Sequence, residues 1–151
     1  MADLTTFLMF DTQAEEAVRL YLSIFDGTIV QTMPGPGGSV MGVTFEILGR
    51  PFIAFNGGPT FQFSEGISIF VSVDTQEEID RYWAKLTADG GKESRCGWLT
   101  DKFGISWQIV PKTLGKLLGD ADRAKAGRAM QAMLAMQKLD IAALERAFAG
   151  H

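Results

Sequence analysis

Phe10-Asp11-Thr12-Gln13 returns 63 positions on, from 10 to 73, as Val73-Asp74-Thr75-Gln76. Adjacent acids follow each copy, Glu15-Glu16 and Glu77-Glu78. An aromatic comes next, Tyr21 or Trp83, and each copy closes on Asp-Gly, Asp26-Gly27 or Asp89-Gly90. An internal echo of this kind decides the fold, because each copy is one structural unit built twice. The unit begins as a strand running into a helix. Thr12 with Glu15, and Thr75 with Glu78, have the Thr-x-x-Glu spacing of a capping box, in which the hydroxyl accepts from an orphan amide and the carboxylate reaches back. Beyond the first cap Ala14, Ala17, Val18, Tyr21, Leu22 and Phe25 fall at helical spacing, and beyond the second Ile79, Tyr82, Trp83 and Leu86 do the same. Gly27 and Gly90-Gly91 are expected to end the helices in left-handed conformation. The paired glutamates sit in helix first turns, where negative charge suits the dipole, so they read as structural.

Strands flank both helices. Leu4 to Phe10 and Ile67 to Val73 lead in. Thr28 to Met33, Val40 to Leu48 and Pro51 to Asn56 follow the first helix; Lys92 to Arg95, Gly97 to Thr100 and Ile105 to Val110 follow the second. Pro34-Gly35-Pro36-Gly37-Gly38 reads as a mobile hairpin loop, and Asp101-Lys102-Phe103-Gly104 as the last turn. The fold expected is α+β: two βαβββ modules, 1–58 and 59–111, whose mixed sheets curl around a cleft, followed by a helical tail, 112–151. Alternation puts Ile67, Ile69, Val71 and Val73 on one side and Ser68, Phe70 and Ser72 on the other; Trp107 and Ile109 oppose Ser106, Gln108 and Val110. The apolar rows are expected to pack under the helices, with the mixed rows lining the concave face. In the tail, helical from about Gly119, Ala126, Ala129, Met130, Met133, Leu134 and Met136 form an apolar stripe, and Asp140 caps a last helix that turns Ile141, Leu144, Ala147 and Phe148 inward.

The bulk numbers agree with a folded domain. The chain has 151 residues, 46% hydrophobic and 11% aromatic, enough for a core. A formal net charge of −4 argues against nucleic acid as partner. The basic stretch between Lys112 and Lys138 has no interleaved aromatics and reads as a solvated helix face. A single cysteine, Cys96, excludes an internal disulfide and fits a reducing compartment. Without an apolar run near the ~20 residues of a membrane span, no membrane partner is expected, and a cytoplasmic location is.

These residues carry a resemblance. Paired βαβββ units of this length resemble the vicinal-oxygen-chelate superfamily, which includes glyoxalase I and bleomycin-resistance proteins. Asn56-Gly57-Gly58-Pro59, the run from Cys96 to Pro111 and the tail from Met130 to Ile141 are similar to its PhnB-like branch, catalogued as 3-demethylubiquinone-9 3-methyltransferase. Metal enzymes of the superfamily hold a divalent cation through His, Glu or Gln on four strands. The matching places are Thr5 or Thr6, Ile53, Ser68 and Gln108, of which only Gln108 is of a ligand type usual there. The remaining candidate, His151, is terminal. No metal and no cofactor are therefore expected. The catalogue name implies S-adenosylmethionine, but the two Gly-rich stretches, at 35–38 and 56–59, contain proline and open no apparent helix.

The function expected is metal-free binding of an unknown small molecule, as the resemblance to bleomycin-resistance proteins implies, in a cleft lined by Phe7, Met9, Phe55, Ser68, Phe70 and Gln108. Trp98 lies beside it and faces either way; Trp107 reads as core. Gln108 needs partners for its amide, from Ser68, Ser106 or a ligand. The alternatives are an enzyme of the superfamily (isomerase, lyase or dioxygenase, with Asp101, Glu46 or Cys96 for a metal-free mechanism), a methyltransferase, and a structural or regulatory homodimer. Cys96, without an internal histidine to activate it, reads as a small buried residue. Met130, Met133 and Met136 read as packing. Open sheet edges make a homodimer the expected assembly.

Overall fold

The computed structural model describes the whole chain, Met1–His151. It divides into two units, Met1–Gln62 and Phe63–His151. The first contains β1 (Thr6–Phe10), α1 (Ala14–Ile24), β2 (Gly27–Pro34), β3 (Val40–Ile47) and β4 (Arg50–Asn56). The second contains β5 (Ile69–Val73), α2 (Gln76–Thr87), β6 (Lys92–Glu93), β7 (Trp98–Thr100), β8 (Ser106–Pro111), α3 (Lys112–Leu118), α4 (Arg123–Leu134) and α5 (Ile141–Ala149). The duplication is repeated in the topology. The sheets run β1-β4-β3-β2 and β5-β8-β7-β6, each with its first strand parallel to its last and the other pairs antiparallel.

The period-2 pattern decides which face each helix covers. In the first unit Leu8, Phe10, Phe45, Phe52 and Ala54 are buried together with Ala17, Val18 and Tyr21 of α1. In the second, Val71, Val73, Leu99, Trp107 and Ile109 are buried with Ile79, Trp83 and Leu86 of α2. Trp107 is a core residue, as its row predicted. Ile67 is not: the strand starts two residues later, and Ile67 is exposed.

The two helix starts differ. Thr75 Oγ1 accepts from the Glu78 amide at 3.2 Å, and Glu78 accepts from the Thr75 amide at 3.1 Å, completing the predicted capping box. The first box does not form. Gln13 is the N-cap residue and makes no side-chain cap; instead the Ala14 amide donates to Asn56 Oδ1 at 2.9 Å, so a side chain from the end of β4 satisfies the orphan donor. Gly27 is also not a left-handed helix end. It opens β2, where a Cβ would collide with the Glu46 carbonyl, whereas Gly90 does adopt positive φ, at +110°.

Within the tail, helix begins at Lys112 rather than at about Gly119, with α3 following Pro111 at once, and the tail packs within the second unit. Val110, Leu114, Leu139 and Leu144 form its buried cluster, with Met133 and Met136 against them. Met130 and Leu134, assigned to the apolar stripe, are exposed instead, because the contact runs through the small Ala126 and Ala129. Asp140 caps α5 as expected, accepting from Ala143 at 3.0 Å. The link between α4 and α5 is latched to α2 by Gln76, whose Nε2 donates to Leu139 O at 3.1 Å and whose Oε1 accepts from Ile141 N at 2.8 Å. Beside it Lys138 Nζ meets Asp80 at 2.8 Å. Bonds from Lys138 first, and Gln76 second, hold the Asp80 carboxyl below its usual range. A depressed carboxylate stabilises above its ordinary range, so this part of the latch is lost only as pH falls through the lowered value.

Candidate functional site

In the second unit the face of the sheet opposite α2 carries a mixed row. Phe70 pairs with Gln108 across β5 and β8, and Gln108 with Trp98 across β8 and β7. Residues in register point to the same side, so Phe70, Gln108 and Trp98 form one line across three strands. This settles the side of Trp98. Phe70 is 55% exposed, while Gln108 and Trp98 are half-buried. Gln108 finds one partner in Ser68, to whose Oγ its Nε2 donates at 3.0 Å. Thr100 and Ser106 pair one row away on the same face. Ser106 is 2% exposed, and its Oγ is the one buried side-chain polar atom with no hydrogen-bond partner. A depression of about 270 Å³ bordered by Glu65, Ser94, Arg95, Cys96 and Trp98 adjoins the row.

The first unit presents an equivalent but apolar face. Phe7 pairs with Ile53 and Met9 with Phe55 across β1 and β4. The Phe7 and Phe55 rings lie with centroids 5.9 Å apart. Phe55 rests against Gly42 and Met9 against Gly57, where a Cβ on either glycine would intrude. Of the predicted lining residues, Phe7, Met9 and Phe55 thus meet in the first unit, and Ser68, Phe70, Trp98 and Gln108 in the second.

The residues considered for acid–base or nucleophilic work are placed otherwise. Asp101 is 3% exposed; Oδ1 accepts from the Phe103 and Ile105 amides at 2.9 and 3.1 Å, and Oδ2 from Trp107 Nε1 at 2.9 Å. It organises the last turn and orients the core indole, a role signalled by the Asp-x-x-Gly spacing of a turn. Glu46 is exposed on β3. Cys96 is half-buried rather than buried: it occupies a turn at φ +57°, with its amide donating to Met136 O at 2.9 Å.

The four places matching the superfamily's metal ligands do not make a metal site. In the first unit, Thr5 precedes β1, Thr6 pairs with Phe52 and Ile53 has no donor atom. In the second, Ser68 and Gln108 are hydrogen-bonded to each other. No group of three or more His, Cys, Asp or Glu side chains converges anywhere in the chain. One carboxamide and neutral hydroxyls are a poor donor set for a transition metal. The glycine-rich stretches are turns. Gly57 and Gly58 donate their amides to Phe10 O and Asp11 O at 2.8 and 3.3 Å, and Pro36–Gly38 is a 3₁₀ turn closing the β2–β3 hairpin. No helix follows 56–59 before β5.

Two βαβββ units, each with a helix on one face of its sheet, make a fold like that of glyoxalase/bleomycin-resistance proteins. The solved structures agree. FosX, a fosfomycin resistance protein of Listeria monocytogenes crystallised in mutant form with Mn(II) and 1S,2S-dihydroxypropylphosphonic acid, is similar at 15% identity and TM-score 0.59, over 78% of this chain and 98% of that one. A glyoxalase/bleomycin resistance protein from Albidiferax ferrireducens is similar at 12% identity and TM-score 0.51, over 72% of this chain and 96% of that one. A putative 3-demethylubiquinone-9 3-methyltransferase, PhnB protein, from Bacillus cereus is 33% identical over 73% of this chain and 99% of that one, with TM-score 0.67. The family model described as 3-demethylubiquinone-9 3-methyltransferase matches residues 2–110, and the chain belongs to that family. The match ends at Val110, leaving α3, α4 and α5 outside it. No curated protein matches the chain. No helix is long and apolar enough to cross a membrane.

Proposed function

We propose that this chain binds a small, partly apolar molecule on the bare face of its second unit, without a metal ion. The observation that carries this reading is the line Phe70, Gln108 and Trp98, which sets a carboxamide between two accessible aromatics. Apolar contact surface interrupted by a few fixed polar groups is the usual make-up of a small-molecule site. Gln108 Nε2 is bonded to Ser68, and its carbonyl oxygen remains to accept from a ligand. The fold supports the reading by analogy alone, and the family's methyltransferase label adds no donor site of its own. Binding of 4-ethylphenol, a probe with one hydroxyl on an apolar ring, tests it. Phe70→Ala is expected to weaken binding about tenfold or more, by lost apolar burial, and Gln108→Ala by about three- to tenfold, by a lost hydrogen bond. Equal affinity in all three proteins would count against the site.

A homodimer is proposed as well, on a separate observation. β2 is an edge strand of eight residues, all exposed, without a charged side chain, and it shows Ile29, Val30 and Met33 to solvent. An uncharged edge of this length invites strand pairing. Light scattering should give twice the chain mass, and Val30→Lys should shift it to one; a wild-type monomer at high concentration would refute the assembly.

A further inference from the structure

We infer that the C-terminal helices act as an end wall on the ligand-binding face, setting which way round a ligand lies and how long its apolar part can be. The inference rests on the binding reading above. Along β8 the bare face shows Ser106, Gln108 and Val110 in turn, about 7 Å apart at two residues per step. The polarity changes along that line. At the Ser106 end lie Thr100, Ser68 and the unpartnered Ser106 hydroxyl. At the other end Val110 is covered by Leu114, Leu139 and Leu144, with Met136 packed against them. Ser72, which pairs with Val110 on β5, stays exposed, so the wall stands over the end of β8 and leaves β5 open.

The wall is fixed from three sides. The Cys96 and Gly97 amides donate to Met136 O and Gln137 O, both at 2.9 Å, immediately before Trp98. Gln76 and Asp80 of α2 hold Leu139, Ile141 and Lys138. Val110 anchors it to β8. A ligand lying over Phe70, Gln108 and Trp98 therefore meets hydroxyls and a carboxamide at one end and aliphatic side chains one step away at the other. Its hydrogen-bonding head belongs at Ser68 and Gln108, and its apolar end faces the side chains over Val110, Met136 among them. Because the family match stops at Val110, this limit is set by residues outside the shared domain.

The test is a series of 4-n-alkylphenols, methyl to octyl, titrated against intact protein. Trp98 is the only partly exposed indole of the three, since Trp83 and Trp107 are buried, so fluorescence quenching reads this face. Affinity should rise about fourfold per methylene while the chain covers apolar surface, then level or fall where it reaches the wall. Met136→Ala should move that break to a longer chain and Met136→Phe to a shorter one, with the affinity of 4-methylphenol changed less than that of the longer members in both. A smooth rise with no break, or a break that neither variant moves, would overturn the wall while leaving the binding face in place. No quenching by any member would overturn the binding reading itself, and this inference with it.

Discussion

Asp101→Ala should destabilise the second unit by about 3–5 kcal/mol, the largest loss expected from any single polar residue in the chain. The carboxylate is buried and accepts from two backbone amides and the Trp107 indole. Removing it strands two buried donors, the Ile105 amide and the Trp107 indole, each costing about 1–3 kcal/mol when left without a partner, and frees the part-buried Phe103 amide. Trp107 is wholly buried, so its indole cannot turn to water for compensation. Asp101→Asn keeps one accepting oxygen but sets an NH₂ against at least one donor, and should lie between the two. All three tryptophans, at 83, 98 and 107, belong to the second unit, so indole fluorescence in a urea titration follows that unit alone. A loss below about 1 kcal/mol would mean that the turn is held by other contacts.

The second large effect is expected at Gly97, where the tail packs on the sheet. Its φ is +87°, and an added Cβ would lie 3.0 Å from Leu139 Cδ1 and 3.1 Å from Ile109 O. A left-handed conformation costs an L-residue roughly 1–2 kcal/mol, and forcing an extra carbon into close packing adds about 1–3 kcal/mol. Ile109 O accepts no displacement easily, being backbone of the central strand β8, so Leu139 has to move. Leu139 is fully buried and is held at its carbonyl by Gln76. Gly97→Ala should therefore cost about 2–4 kcal/mol and loosen the tail with it. Hydrogen exchange is the measurement: the amides of residues 96 and 97, which donate to Met136 and Gln137, should lose protection well ahead of the α2 core. Unchanged protection at those two amides would show that the tail tolerates the intrusion.

The fold is legible in the sequence because duplication and period-2 alternation are both local signals. The echo locates two helices, and the alternation places Trp107 and Val71 under them and Phe70 and Gln108 opposite. The second capping box can be read from the chain since all its atoms lie within four residues. The first cannot, because the helix starts one residue late, with Gln13 as N-cap, and its Ala14 amide goes to Asn56, 42 positions away, which nothing in Thr12-Gln13-Ala14-Glu15 reports. Gly27 misleads for the same reason: its smallness answers the Glu46 carbonyl across the sheet and not a helix end. Cys96 has the look of a buried filler, but its surroundings are set by the tail at Met136. The site is half legible. Residue types give the faces, whereas the side taken by Trp98 and the Ser68 partner of Gln108 need the strand register. The tail is visible as helical, yet its covering of Val110 depends on Gln76, whose part in the repeated Asp-Thr-Gln gives no hint of a latch.

The central claim is that the bare face of the second unit binds a small molecule through Phe70, Gln108 and Trp98. Nuclear magnetic resonance of the isotope-labelled intact chain tests it most directly, by following the Gln108 carboxamide and the Trp98 indole N–H during titration with 4-ethylphenol. The account predicts saturable shifts of those two groups and of the Phe70 ring, with Trp83 unmoved on the helix side. Saturable shifts elsewhere with these three unmoved, or no saturable shift at all, would contradict it.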